Sequence, residues 1–237
     1  MSDYVVVIPT RNRYRLCLRA IRSALTQTVP PAEVFVVDDA SDDPRYQWLE
    51  EIVGSPRLTV FRRPVCSQEE HGTTYAIGAV RNVALQHVQR IGFSGWVAFL
   101  DDDDEWMPGK MARQFELLAG NGRYGVVCSN AFNRSPEGIA AGLHHEPHGV
   151  KMTDETRDVT SALKLFNAVI NSTAIVHTAI LDRLGLQSLR NGGRTTSSGS
   201  GPRGSPASCE WKSRWRGTRS EIRRSINEAR HLRPRQE

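Results

Sequence analysis

Four consecutive aspartates, Asp101 to Asp104, followed by Glu105 and Trp106, close the apolar segment Trp96 to Leu100. Adjacent like charges repel, so a fold keeps such a block most readily where a cation offsets the repulsion. Oxygen-only donors favour a hard ion, Mg2+ or Mn2+, and the natural companion of that ion is a phosphate-bearing substrate. Taken by itself the run would also serve as a solvated acidic turn, so its meaning depends on what else the chain brings to it.

Two further polar clusters follow apolar runs, Pro9 to Arg13 and Asp38 to Asp42. A carboxylate at Asp38 or Asp39 can accept the imide or amide hydrogen of a base and would favour uracil, whose ring N–H points outward. An Asx turn through Asp38, Asp39 or Ser41 is the competing reading, and the two are compatible. Arg11 and Arg13 offer guanidinium groups for phosphate, although an arginine just after a strand is often simply solvated. Arg81, with Gly78 and Asn82, opens the helix that precedes the acidic run, where it would bind a diphosphate or pair with Asp101.

The elements that must position these groups alternate. Tyr4 to Ile8, Val34 to Val37, Leu58 to Phe61 and Trp96 to Leu100 are short apolar runs expected to be buried strands. Between them, Arg15 to Leu25, Tyr46 to Ile52 and Thr74 to Val88 carry helical spacing, and Pro30-Pro31 stops the first helix. Strand and helix alternation predicts a three-layer α/β/α domain around a mostly parallel sheet. Ligands of such sheets bind beyond the carboxyl ends of the strands, where all three polar clusters fall. Farther on, Met111 to Leu118 is expected as helix and Gly125 to Cys128 as strand. Residues 133–158 are polar and loop-like, and Leu163 to Val176 is apolar but of undecided type.

Composition separates the chain into two parts. The formal net charge is +5, yet twelve Lys and Arg against four Asp and Glu follow Gln187, so the residues before it carry about three net negative charges. The basicity therefore belongs to an Arg-, Gly-, Ser- and Pro-rich tail, residues 190–237, expected to be disordered or irregular. Arg214, Arg216, Arg219, Arg223 and Arg224 have no aromatic-rich recognition module beside them, so nucleic acid is not an expected partner. Cys17, Cys66, Cys128 and Cys209 are scattered without metal-ligand spacing, which points to unpaired thiols in a reducing compartment. With neither a signal peptide nor a spanning segment in view, the expectation is cytoplasmic residence, free or at the inner face of the membrane.

Four motifs in order carry a resemblance: Val6-Val7-Ile8-Pro9-Thr10-Arg11-Asn12-Arg13, Val36-Val37-Asp38-Asp39-Ala40-Ser41, Gly78-Ala79-Val80-Arg81-Asn82, and Phe99 through Pro108. From about residue 4 to residue 185 the chain resembles family 2 glycosyltransferases. The resemblance implies a GT-A type domain over residues 1–189, its nucleotide-binding part about 4–130 and its acceptor-side part about 131–189. It implies a nucleotide-diphosphate sugar donor of UDP, GDP or dTDP type, an unknown acceptor, Mn2+ or Mg2+ as cofactor, and commonly inversion at the anomeric carbon. By position, Pro9 and Thr10 resemble the nucleotide-contacting first loop and Asp39 the base-recognising carboxylate. Asp101 resembles the ribose or metal contact, Asp103 the direct metal ligand, and Asp102 lies between them in the nucleotide site. Trp106 and Pro108 are expected to fix the loop, and Lys110 to cap the next helix.

The departure lies after Leu184-Gly185. Members of the family follow with a Gly-Glu-Asp or Gly-Asp-Asp motif, one carboxylate of which deprotonates the acceptor. Here Asn191-Gly192-Gly193 leads into Arg194-Thr195-Thr196-Ser197, and the expected base after Gly193 is missing. His144, His145 and His148 are weaker alternatives, since a loop histidine is more often solvated. The codons CGG ACG ACT TCG AGT GGC TCC GGG CCG CGG would encode Arg194 to Arg203. From its third base the same string reads Asp-Asp-Phe-Glu-Trp-Leu-Arg-Ala-Ala, which resembles the missing motif. A frame-shifted or divergent C-terminal segment is the resulting expectation, together with doubtful activity of the chain as it stands. Noncatalytic nucleotide-sugar binding and nucleotidyl transfer are the alternative functions.

Overall fold

Alternate side chains of the first two strands enter two different cores. Val6 and Ile8 with Val34 and Val36 face one, while Val5 and Val7 with Phe35 and Val37 face the other. Period-two alternation in which both faces are apolar is what a sheet covered on both sides requires. The computed structural model describes residues 3–71, 77–120, 124–135, 138–143 and 169–184.

Strands β1 (Tyr4–Thr10), β2 (Glu33–Asp38), β3 (Leu58–Arg62) and β4 (Trp96–Phe99) pair in parallel, in the order β3-β2-β1-β4. Helix α1 (Tyr14–Leu25) buries Cys17, Ala20, Ile21 and Ala24 on the first face. The 3-10 segment Pro44–Trp48, α2 (Leu49–Val53) and α5 (Lys110–Gly120) supply Tyr46, Leu49 and Met111 to the same core. Helix α4 (Ile77–Arg90) covers the second face with Val80, Ala84, Leu85 and Val88, joined by Ile180 and Leu181 of α6 (Thr178–Leu184). The expected three-layer, mostly parallel α/β/α architecture is thus observed.

Three segments differ from or refine what the sequence predicts. The polar region after residue 133 contains an antiparallel pair, β6 (Phe132–Ser135) with β7 (Gly138–Leu143), in a separate sheet. A short helix, α3 (Ser67–His71), follows β3 where the sequence predicts no element. The undecided apolar stretch resolves at its end into a 3-10 turn, Asn171–Thr173, and β8 (Ile175–His177). Strand β8 runs antiparallel between β4 and β5 (Val126–Val127), so the main sheet changes direction at that edge. The tail 190–237 and His144, His145 and His148 lie outside the described residues. Among the described residues, no helix is long and apolar enough to cross a membrane.

Glycine has a steric role at one junction. A Cβ on Gly95, just before β4, would stand 2.5 Å from the Asp3 carbonyl and 2.8 Å from the Phe93 ring. The start of β4 therefore approaches the chain ahead of β1 more closely than any other residue would permit.

Candidate active site

The three polar clusters meet at the carboxyl ends of β1, β2 and β4. The Asp39 amide donates to the Thr10 carbonyl at 2.9 Å, joining the ends of β1 and β2. Asn12 stitches the same loops side by side: its backbone N–H donates to Ser41 Oγ (2.9 Å), and its side chain donates to Asp42 (3.0 Å) and accepts the Asp42 amide (2.8 Å). A φ of 54° at both Asn12 and Ala40 turns the two loops within reach of each other. Such left-handed backbone suits asparagine and is strained for alanine.

A relay of hydroxyls then links the first loop to the acidic run. The Arg13 amide donates to Tyr46 Oη (3.1 Å), Tyr46 shares a hydrogen with Thr10 Oγ1 (2.8 Å), and Thr10 donates to Asp102 Oδ2 (2.8 Å). The Arg13 guanidinium reaches Asp102 Oδ1 (3.3 Å) and Asp103 Oδ2 (2.7 Å). Burial pushes the Asp102 carboxyl up to about 6 despite Thr10 and Arg13, with Asp103 adding to the rise. Asp103 is the exposed member of the pair, its side chain 36% exposed against 9% for Asp102.

Asp101 is held differently. Its Oδ1 accepts from Arg81 Nη2 (2.5 Å) and Asn171 Nδ2 (3.2 Å), and its amide donates to Ser172 Oγ (3.0 Å). Of the two uses foreseen for Arg81, pairing with Asp101 is the one observed.

The second cluster divides its labour. Asp38 forms the Asx turn, accepting the Ser41 amide at 3.0 Å, and pairs with Arg62 at 3.0 Å. Asp39 is fully buried and accepts from the Ser67 amide (2.8 Å), the Ser67 hydroxyl (2.6 Å) and Arg63, which also pairs with Glu70. A carboxylate placed at a buried strand end needs donors, and Arg63 and Ser67 supply them. The carboxylate expected to face a base is here covered by a cap formed from the segment after β3. Beside the cap lies an open, polar cleft of about 570 Å3, lined by Arg11, Asp42, Arg62, Arg63, Cys66 and Glu69. Arg11 sits there against Cys66, whose sulfur, together with Asp39 and Asp42, raises the guanidinium's affinity for its proton.

Pro9 and Thr10 are buried within β1, so the surface of the first loop is made by Arg11 to Arg13. Trp106 is buried and donates to the Ser172 carbonyl at 2.6 Å, fixing the loop as expected. Pro108 is exposed and contributes through its carbonyl, which accepts the Thr28 amide. Lys110 lies over the Trp106 ring, 4.1 Å from its centroid, and donates to Gln114 at 2.8 Å. Cys17, Cys66 and Cys128 are unpaired thiols.

Among the described residues, no group of three His, Cys, Asp or Glu side chains could enclose a metal by itself. Asp101 and Asp103 are a two-carboxylate, oxygen-only set. That set fits a hard ion that arrives with substrate phosphates, the usual mode of Mg2+, and does not fit a dedicated protein cage. Arg63, Ser67, Asn171 and Ser172 were not foreseen. Only Asn171-Ser172-Thr173 left a signal, as three polar residues interrupting an apolar stretch.

Comparison with known proteins bears on this geometry. The family model described as Glycosyl transferase family 2 matches residues 5–184. The chain belongs to that family. Among curated relatives, the putative colanic acid biosynthesis glycosyl transferase WcaA of Escherichia coli K12 is 32% identical over 110 residues, 45% of this chain and 34% of WcaA. The UDP-Glc:alpha-D-GlcNAc-diphosphoundecaprenol beta-1,3-glucosyltransferase WfgD of Escherichia coli is 30% identical over 142 residues, 55% of this chain and 50% of WfgD. The chain thus spans half or less of the length of these relatives. Among solved structures, S. aureus TarS 1-349 in complex with UDP-GlcNAc superposes with a TM-score of 0.56 at 22% identity, covering 76% of this chain and 46% of that one. The mannosyltransferase PcManGT from Pyrobaculum calidifontis, in complex with GDP-Man and Mn2+, gives 0.51 at 21% identity, covering 78% and 49%. At these identities the likeness establishes a shared fold.

Proposed function

We propose that this chain transfers a sugar from a nucleotide-diphosphate donor to a sugar, lipid or protein acceptor, with inversion and with Mn2+ or Mg2+. The observation that carries the reading is the meeting of Thr10, Arg13, Asp39 and the Asp101 to Asp103 run at one sheet edge. The base enters the cleft beside Arg11 and meets Asp39 once the Arg63 and Ser67 cap yields a lone pair. The ribose and diphosphate lie against Asp101, Arg81 and Arg13. Asp103 and Asp101 would hold the ion, which when bound offsets charge on the departing nucleoside diphosphate. UDP-Glc as the donor of WfgD, and UDP-GlcNAc and GDP-Man as the molecules bound by TarS and PcManGT, support a nucleotide-sugar donor of this class.

Because the acceptor is unidentified, binding tests the donor half directly. Calorimetry with UDP, GDP and dTDP, each with Mn2+ and with chelator, should find one that binds and loses affinity on chelation. Equal affinity with chelator and with metal would remove the ion from the proposal. Release of nucleoside diphosphate from a nucleotide sugar would support transfer, whereas pyrophosphate from a nucleoside triphosphate would mark a nucleotidyltransferase.

A noncatalytic nucleotide-sugar binding module is the second reading, favoured by the absence of a carboxylate between Gly193 and Glu210. General-base loss costs about 10²- to 10⁴-fold in rate. We propose that the coding frame slips between Leu189 and Gly204, which accounts for both the missing carboxylate and the Arg-, Gly-, Ser- and Pro-rich composition. Resequencing the encoding DNA across that stretch decides it, and a frame-restored chain should turn over far faster than the present one.

A further inference from the structure

We infer that the turn Asn171–Thr173 is the positioning element of the Asp101 carboxylate, with Asn171 as a positioning residue of the donor site; this rests on the nucleotide-sugar reading above. Both donors to the Asp101 side chain, Arg81 Nη2 and Asn171 Nδ2, land on Oδ1. Among the described residues neither reaches Oδ2. One oxygen is therefore anchored and the other is left to meet a ligand. Arg81 supplies the opposite charge that offsets the burial of the carboxylate. Asn171 supplies direction, because two donors converging on one oxygen fix rotation about the carboxylate bond in a way that one cannot.

The turn that carries Asn171 is itself tied from several directions. Ser172 Oγ accepts the Asp101 amide. The Ser172 carbonyl accepts from Trp106 Nε1 at 2.6 Å, and the Thr173 carbonyl from Gln114 Nε2 at 2.8 Å. Gln114 is oriented in turn by Lys110 at 2.8 Å, and the Ala174 carbonyl accepts the Phe99 amide at 3.2 Å. The acidic run thus lies between β4, which delivers it, and a turn placed some seventy residues later in the chain whose Asn171 side-chain amide and Ser172 hydroxyl face it, while its carbonyls hold Trp106 and Gln114. Ser172 and Thr173 are buried, so the contact is fixed by packing as well as by hydrogen bonds.

The test measures affinity for UDP, GDP and dTDP with Mn2+ by calorimetry, in wild type, Asn171→Ala, Asp101→Asn and the double variant. For whichever nucleotide wild type binds, Asn171→Ala should weaken binding about tenfold, the scale of one hydrogen bond to a charged group. The unfolding midpoint should stay unchanged. In the Asp101→Asn background the same substitution should cost less than about twofold, because the group it positions is altered; a merely structural role predicts the same loss in both backgrounds. Should Asn171→Ala fold poorly, the nearly isosteric Asn171→Asp carries the same comparison, with a larger loss expected from facing one carboxylate with another. Wild-type affinity in the Asn171 variants, or an undiminished loss beside Asp101→Asn, overturns the positioning role alone. Failure of wild type to bind any of the three nucleotides overturns the nucleotide reading and this inference with it.

Discussion

Arg81 Nη2 and Asp101 Oδ1 stand 2.5 Å apart, their side chains only 10% and 11% exposed. This ion pair bridges α4 to the loop after β4, so the helix on the second face of the sheet reaches through to the site at its edge.

Removing one partner of a buried pair strands the other charge. Arg81→Met is expected to lower stability by about 3 kcal/mol, whereas Arg81→Met with Asp101→Asn should recover much of that loss. Urea denaturation of the two variants and wild type checks this. Equal destabilisation by the single and double variants would mean that charge pairing is not what Arg81 provides.

Asp103 makes the opposite prediction. Its side chain is partly exposed and its partner Arg13 has Asp102 as a second contact, so Asp103→Ala should change stability by less than about 0.5 kcal/mol. Nucleotide affinity in Mn2+ should fall to the level seen with chelator, and chelator should then have no further effect. A variant that still distinguishes metal from chelator would move the ion to other residues.

Lys110 gives a pH signature. Burial pushes its ammonium down to about 7, against a smaller opposing effect of Cys128. The folded chain then binds fewer protons here than the unfolded chain between about pH 7 and the ordinary lysine value, so stability rises with pH across that window. Burial raises the Cys128 thiol, which acts with the reverse sign above its own ordinary range, so the comparison is cleanest between about pH 7 and 9. Wild type should gain stability over that interval relative to Lys110→Met in urea titrations. Parallel curves for the two proteins would show that Lys110 keeps an ordinary proton affinity.

Gly95→Ala should destabilise by about 1–3 kcal/mol, because the new methyl meets the Asp3 backbone, which cannot rotate away as a side chain would. Thermal unfolding measures it. An unchanged midpoint would show that the chain before β1 moves aside without cost.

The parallel half of the fold was legible because β1, β2 and β4 are buried on both faces and read as unbroken apolar runs. The convergence of Thr10, Asp39 and Asp101 followed from those strands sharing one direction. Strand β8 was not legible: three residues carry no periodicity, and its antiparallel place between β4 and β5 is fixed by pairing over long sequence separation. The cap on Asp39 was missed for the same reason, since nothing local marks Ser67 as the partner of a carboxylate at the end of β2. Asn171 reaches Asp101 only through tertiary packing, and periodicity has no term for such a contact.

The place of β8 between β4 and β5 sets an order on synthesis. As the chain emerges, β1 to β4 can pair as soon as residue 99 is out, but the outer edge of β4 stays open until Ile175 to His177 follow. Through that interval a nascent chain presents an unpaired, apolar strand edge, the surface by which folding intermediates associate with one another. Truncations that stop short of residue 177 should therefore aggregate, whereas those that stop just after α6 retain every strand of the main sheet. Soluble yield across a nested series of C-terminal truncations should step at that point.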